Sequence, residues 1–177
     1  MHVRKLDDVA SRDALEECQT RVQAIALIHE KLYQSRDYAR VPFSEYARTL
    51  VSTIFHTAGV VPGAVQLEMN IEQVAVPVDK AIPCGLLLNE LITNALKHAF
   101  KDGRRGRLQV LLFRTGARLH LVVSDDGVGL PVGLDVQRTG SLGLQLVSTL
   151  AEQLDASLEI TSRAGARFEV AFDMENG

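Results

Sequence analysis

The sequence predicts an α+β fold, a two-layer α/β sandwich preceded by a helical segment. Three observations lead there. Residues 1–60 carry apolar positions at helical spacing, the period drops to two from Val65, and strand-like and helix-like runs then alternate between short turns. Strands whose companion helices gather on one side bury one face of a sheet. The expected division is a helical unit over 1–60 and a sandwich over 61–177. With 177 residues and 46% hydrophobic content, the chain can build one full core with a smaller element beside it.

Leu15, Cys18, Val22, Ile25, His29 and Leu32 alternate spacings of three and four, as a heptad seam does. Such a helix either meets a partner helix along the seam or lies on the core of its own domain. The pattern breaks at Val41-Pro42-Phe43-Ser44 and resumes with Phe43, Ala47, Leu50, Val51, Ile54 and Phe55, a second helix that suggests a hairpin or bundle. After Gly59 and the Pro62-Gly63 turn signal, Val65, Leu67, Met69 and Ile71 alternate with polar residues as one strand. Asp79, as a cap, and Pro83, in a first turn, open a long helix that ends near Phe100. Leu108–Phe113 and Leu119–Ser124 read as strands joined at Thr115-Gly116-Ala117. Residues 125–141 read as loop, Leu142–Leu154 as helix, and Ser157–Thr161 with Phe168–Phe172 as a closing hairpin.

Composition narrows the function. A net charge of −3 and a pI near 5.9 offer no basic field for polynucleotide, so no nucleic-acid partner is expected. Cys18 and Cys84 lack metal-ligand spacing and fit a reducing compartment. No apolar run approaches the roughly 20 residues of a membrane span, and MHVRKLDDVA lacks a signal-peptide core, so a cytoplasmic location is expected.

Chemistry concentrates in two places. Within LNELITNALKHAF, residues 88–100, Glu90, Asn94 and His98 recur every four residues and Lys97 lies beside them, so all four are expected on one helical face. By itself that face is as well read as a solvated surface with incidental pairing. Downstream, Ser124-Asp125-Asp126-Gly127-Val128-Gly129-Leu130 closes a strand, and Gly140-Ser141-Leu142-Gly143-Leu144 opens a helix. Glycines allow close backbone approach, a helix start offers free amides to phosphate, and an acidic residue at a strand end accepts from an exocyclic amine.

In this order the motifs resemble the ATP-binding superfamily shared by sensor histidine kinases, type II topoisomerases, mismatch-repair ATPases and anti-sigma serine kinases (the GHKL or Bergerat fold). NELITNALKH resembles its N box, SDDGVGL its first glycine box and GSLGL its second. RVQAIALIHEKLYQS is similar to the second dimerisation helix of histidine kinases of the HWE-like class. The resemblance implies that Asn94 holds Mg²⁺ and that Glu90 polarises the acceptor or a water near the γ-phosphate of ATP. It implies phosphate contacts from Lys97 and His98, and an adenine amino contact from Asp125. Gly127 and Gly129 would flex the start of a lid, while Gly140, Ser141, Leu142, Gly143 and Leu144 would bring amides to the phosphates. The implied partners are a response regulator, a histidine-bearing dimerisation helix or upstream sensor region, and a second copy in a homodimer.

Two departures stand out. The class carries its phosphoacceptor in a stretch resembling HRVKNN on a first dimerisation helix, and nothing like it occurs here, so the acceptor is expected outside this chain. His29, next to Glu30, matches a second-helix position that is not the phosphoacceptor. Only ten residues separate Gly129 from Gly140, and the chain has no Trp, although a tryptophan helps name the class. Competing readings are an anti-sigma-type serine kinase and a non-catalytic phosphotransfer or adaptor module on the same fold.

Overall fold

The computed structural model describes residues 9–34, 39–59, 61, 63–131 and 142–174. Its centre is α3 (Val78–His98), a helix whose apolar positions face two directions at once. One side lies on a five-stranded sheet and the other receives α1 (Val9–Gln34) and α2 (Phe43–Thr57), which both pack chiefly on α3 and less on each other. The helical segment therefore shares its core with the sandwich: Ala24, Ile28, Phe43 and Tyr46 belong to the same buried cluster as Leu87, Leu121 and Phe172.

The sheet runs β2-β4-β5-β7-β6, formed by β2 (Val65–Ile71), β4 (Gly106–Thr115), β5 (Arg118–Asp125), β7 (Arg167–Asp173) and β6 (Ser157–Thr161). β2 and β4 are parallel, which requires a crossover, and α3 supplies it. The remaining pairings are antiparallel. Alternation along the strands sends Leu108, Val110, Leu112, Leu119, Leu121, Val123, Phe168, Val170 and Phe172 into the core beneath α3 and α4 (Leu142–Gln153). On the opposite face the Phe113 and His120 rings stack with centroids 4.8 Å apart, and Glu169 Oε1 lies 3.0 Å from His120 Nδ1. The two-layer sandwich expected from the period change is the architecture observed.

Local details differ from expectation. β1 (Arg40–Val41) and β3 (Val76–Pro77) form a small antiparallel sheet that two-residue strands cannot announce by periodicity. Asp79 does not cap α3: the helix starts at Val78 after Pro77, with Asp79 in its first turn, where its charge favours the positive end of the helix dipole. Pro83 lies deeper inside the helix than a first turn and is buried. The α1 seam resolves into two faces. Ala24 and Ile28 turn to the core, whereas Leu15, Cys18, Val22 and His29 are exposed and Ile25 is half-buried; the Leu32 side chain lies outside the described residues.

Candidate active site

The end of β5, the second half of α3 and the start of α4 converge on a cavity of about 350 Å³. From α3 come Leu91, Asn94, Ala95 and His98; from β5, Val123 and Asp125. The following loop contributes Val128, Gly129, Leu130 and Pro131, and Leu144 enters from α4. Lys101, Ala166 and Phe168 complete the wall. The cavity is mostly apolar with a few convergent polar groups, the usual character of a small-molecule site.

Asp125 is held by backbone. Its Oδ1 accepts from Gly127 N at 2.9 Å and from Ala166 N at 3.3 Å, and Oδ2 carries no hydrogen bond among the described residues. Burial pushes its carboxyl above the ordinary value, against the lowering effect of those two amides and of Arg104; Asp126 adds to the rise. The glycines beside it divide their work. Gly127 is buried, and a Cβ there would stand 2.4 Å from the Ala99 carbonyl oxygen at the end of α3. Gly129 has φ +74°, a left-handed conformation that glycine adopts freely. So Gly127 makes a close packing contact, and Gly129 takes a backbone conformation that favours glycine.

On α3, Glu90 is only 4% exposed although it is charged. Arg21 of α1 forks onto it, Nε to Oε1 at 2.8 Å and one terminal nitrogen to Oε2 at 2.9 Å, and Asn89 Nδ2 donates to Oε1 at 3.2 Å. Asn94 Nδ2 is buried without a partner. Gly143, in the first turn of α4, abuts both residues: a Cβ there would lie 3.2 Å from Glu90 Oε2 and 3.3 Å from Asn94 Oδ1. Glu90, Asn94 and Gly143 are thus brought together at the start of α4.

Lys97 is placed elsewhere, and the expectation of a single face is corrected. It lines a second cleft of about 460 Å³ between α1, α2 and α3, along with Thr93, Leu96 and Gln23. Each four-residue step on an α-helix drifts by about 40°, so the Asn94–His98 side turns to the cavity while the Glu90–Lys97 side turns to α1. Gly140 and Ser141 lie outside the described residues. Sequence reasoning missed Arg21, Lys101, Ala166 and Phe168. Lys101 lies just past the end of α3, in a short 3-10 helix over Lys101–Gly103; the other three arrive from distant elements.

Comparison with known proteins agrees with this anatomy. Residues 1–58 match a family described as histidine kinase, and residues 79–176 match the histidine kinase-, DNA gyrase B- and HSP90-like ATPases. Blue-light-activated histidine kinase 2 of Erythrobacter litoralis is 36% identical over 163 residues, 87% of this chain and 45% of that protein. Sensor histidine kinase PdtaS of Mycobacterium tuberculosis is 32% identical over 160 residues, 89% of this chain and 32% of its own length. The chain spans less than half the length of these curated relatives. Among solved structures, the histidine kinase domain of an Erythrobacter litoralis blue-light-activated kinase superposes with a TM-score of 0.82 at 30% identity, covering 89% of this chain and 75% of that one. The Acinetobacter baumannii histidine kinase AdeS shares the fold, with a TM-score of 0.67 at 19% identity over 98% of this chain and 88% of its own. With a histidine kinase helical segment followed in chain order by the matching ATPase domain, this protein belongs to the histidine kinase family.

Proposed function

We propose that the chain is the catalytic region of a two-component protein-histidine kinase. It binds ATP in the cavity between α3, β5 and α4, and passes the γ-phosphoryl group to a histidine outside this chain for relay to a response-regulator aspartate. The observation that carries the reading is the polar pair on the wall of one mostly apolar cavity, Asp125 fixed by backbone amides and Asn94 beneath the first turn of α4. The adenine fits the apolar part with its amino group donating to Asp125 Oδ2, which selects ATP over GTP. His98 and Lys101, both on the cavity wall, supply phosphate contacts, and the amides of Leu142, Gly143 and Leu144 add to them. Lys97, on the neighbouring side of α3, contacts phosphate only by reaching around the helix. Gly140 and Ser141 would extend the glycine box over the nucleotide.

Mg²⁺ fits the donor set in a limited way. Among the described residues no cluster of three or more His, Cys, Asp or Glu side chains could hold a metal. Nucleotide-bound Mg²⁺ needs only one or two protein oxygens beside phosphate and water, and the Asn94 amide on the cavity wall carries an oxygen that could supply one. Bound there through Asn94 Oδ1, the ion would neutralise phosphate charge. Glu90 is the group to polarise the acceptor, since phosphoryl transfer asks mainly for positioning and charge stabilisation.

The exposed Leu15, Cys18, Val22 and His29 face of α1 suits a partner helix, from a histidine-bearing segment or from a second copy in a homodimer. The helical match over residues 1–58 favours this over the serine kinase and adaptor readings. Among the described residues no helix is long and apolar enough to cross a membrane, and we place the catalytic region in the cytoplasm, where ATP and response regulators meet. The test is calorimetry with Mg-ATP. Asn94→Ala and Asp125→Ala should each weaken binding at least about tenfold; variants that bind as the parent does would remove the nucleotide reading.

A further inference from the structure

We propose that Arg21 is a lock on Glu90: while α1 is docked, both oxygens of the proposed proton acceptor are engaged, and α1 must lift from α3 before phosphoryl transfer. The inference rests on the role given to Glu90 above. A guanidinium fork occupies Oε1 and Oε2 together, a geometry that only arginine provides. Asn89 takes a further site on Oε1, and Gly143 lies beside Oε2, since a Cβ there would stand 3.2 Å away. A residue that merely oriented Glu90 could do so through one oxygen; this one engages both.

The lock is tied to the docking of the whole helix. One turn from Arg21, Ala24 is fully buried and its carbonyl accepts from Tyr46 Oη at 3.2 Å; one turn further, Ile28 is 1% exposed. On its other side the same helix exposes Leu15 and Val22, at 56% and 59%. A partner helix that drew α1 off α3 by that side would couple acceptor delivery to release of Glu90.

With water as the acceptor, the released Glu90 takes a proton as the water oxygen bonds to the γ-phosphorus. The bond from that phosphorus to the β,γ-bridging oxygen breaks, and ADP leaves with the electron pair. Phosphate release from Mg-ATP by the full 177-residue chain therefore reads the lock directly. Arg21→Met, which keeps an apolar stem, should raise the rate about fivefold, the factor expected for losing a partly buried ion pair that holds the closed state. Arg21→Lys keeps charge but loses the fork and should give a smaller rise; it decides the matter alone if Arg21→Met fails to fold. Glu90→Gln should be slow, and Arg21→Met with Glu90→Gln equally slow. A rate at or below the parent's in Arg21→Met, with Glu90→Gln still impaired, overturns the lock and leaves the role of Glu90 standing. Parent-like activity in Glu90→Gln removes that role and the lock with it.

Discussion

Gly127→Ala puts the close approach between the β5 end and the α3 end to a direct test. The methyl carbon would lie 2.4 Å from the Ala99 carbonyl oxygen and 2.5 Å from the Ala99 Cβ, against an ordinary contact of 3.4–4 Å. Relief requires the loop to withdraw by roughly 1 Å, which strains a packed junction at about 1–3 kcal/mol. The same movement stretches the Val128 N to Ala99 O hydrogen bond, now 3.1 Å, whose loss adds about 1 kcal/mol. A total near 2–4 kcal/mol lowers the melting temperature by roughly 5–12 °C in a chain of this size. Gly116→Ala is the control: its φ is +63° but nothing lies within 4 Å of the added carbon, so only the conformational cost of about 1 kcal/mol remains. Thermal unfolding followed by circular dichroism measures both. A Gly127→Ala variant that melts within about 2 °C of the parent would refute the close-packing argument, as would an equal loss in Gly116→Ala.

Further outcomes concern the polar groups. Because burial raises the Asp125 carboxyl above its ordinary 3.8, the folded chain holds that proton more tightly than the unfolded chain. Its contribution to stability is then fully present below 3.8 and lost as pH rises through the raised value. Urea midpoints across that window should fall with rising pH, and Asp125→Asn should flatten the slope; an unchanged slope would show that another group sets it. Glu90→Ala should leave Mg-ATP affinity within about threefold by calorimetry while reducing phosphoryl transfer, because its carboxylate acts on the acceptor. Normal turnover would remove it from the chemistry.

Much of the site was readable from local pattern because nucleotide-fold chemistry uses contiguous motifs. Glu90 and Asn94 sit one turn apart on a single helix, and Asp125, Gly127 and Gly129 follow one another at a strand end. Periodicity located β2 and β6 at Val65–Ile71 and Ser157–Thr161, since seven and five alternating residues suffice to show a half-buried strand. It was silent on β1 and β3, where two residues carry no period. It also overstated the polar face of α3: counting by fours ignores a drift that turns Lys97 toward α1 and His98 toward the cavity.

By itself, the sequence determined the order of the longer elements, the two-layer sandwich, the nucleotide motifs and the family they resemble, because each is written in neighbouring residues through spacing, alternation and glycine placement. Tertiary structure alone decided that Arg21 pairs with Glu90 across 69 positions, that Ala166 and Phe168 close the cavity, and that α1 rests on α3 with its seam outward. Those contacts join segments far apart in the chain. Their geometry is set by how α1, α3 and the β7 hairpin share one core, and no local periodicity records it.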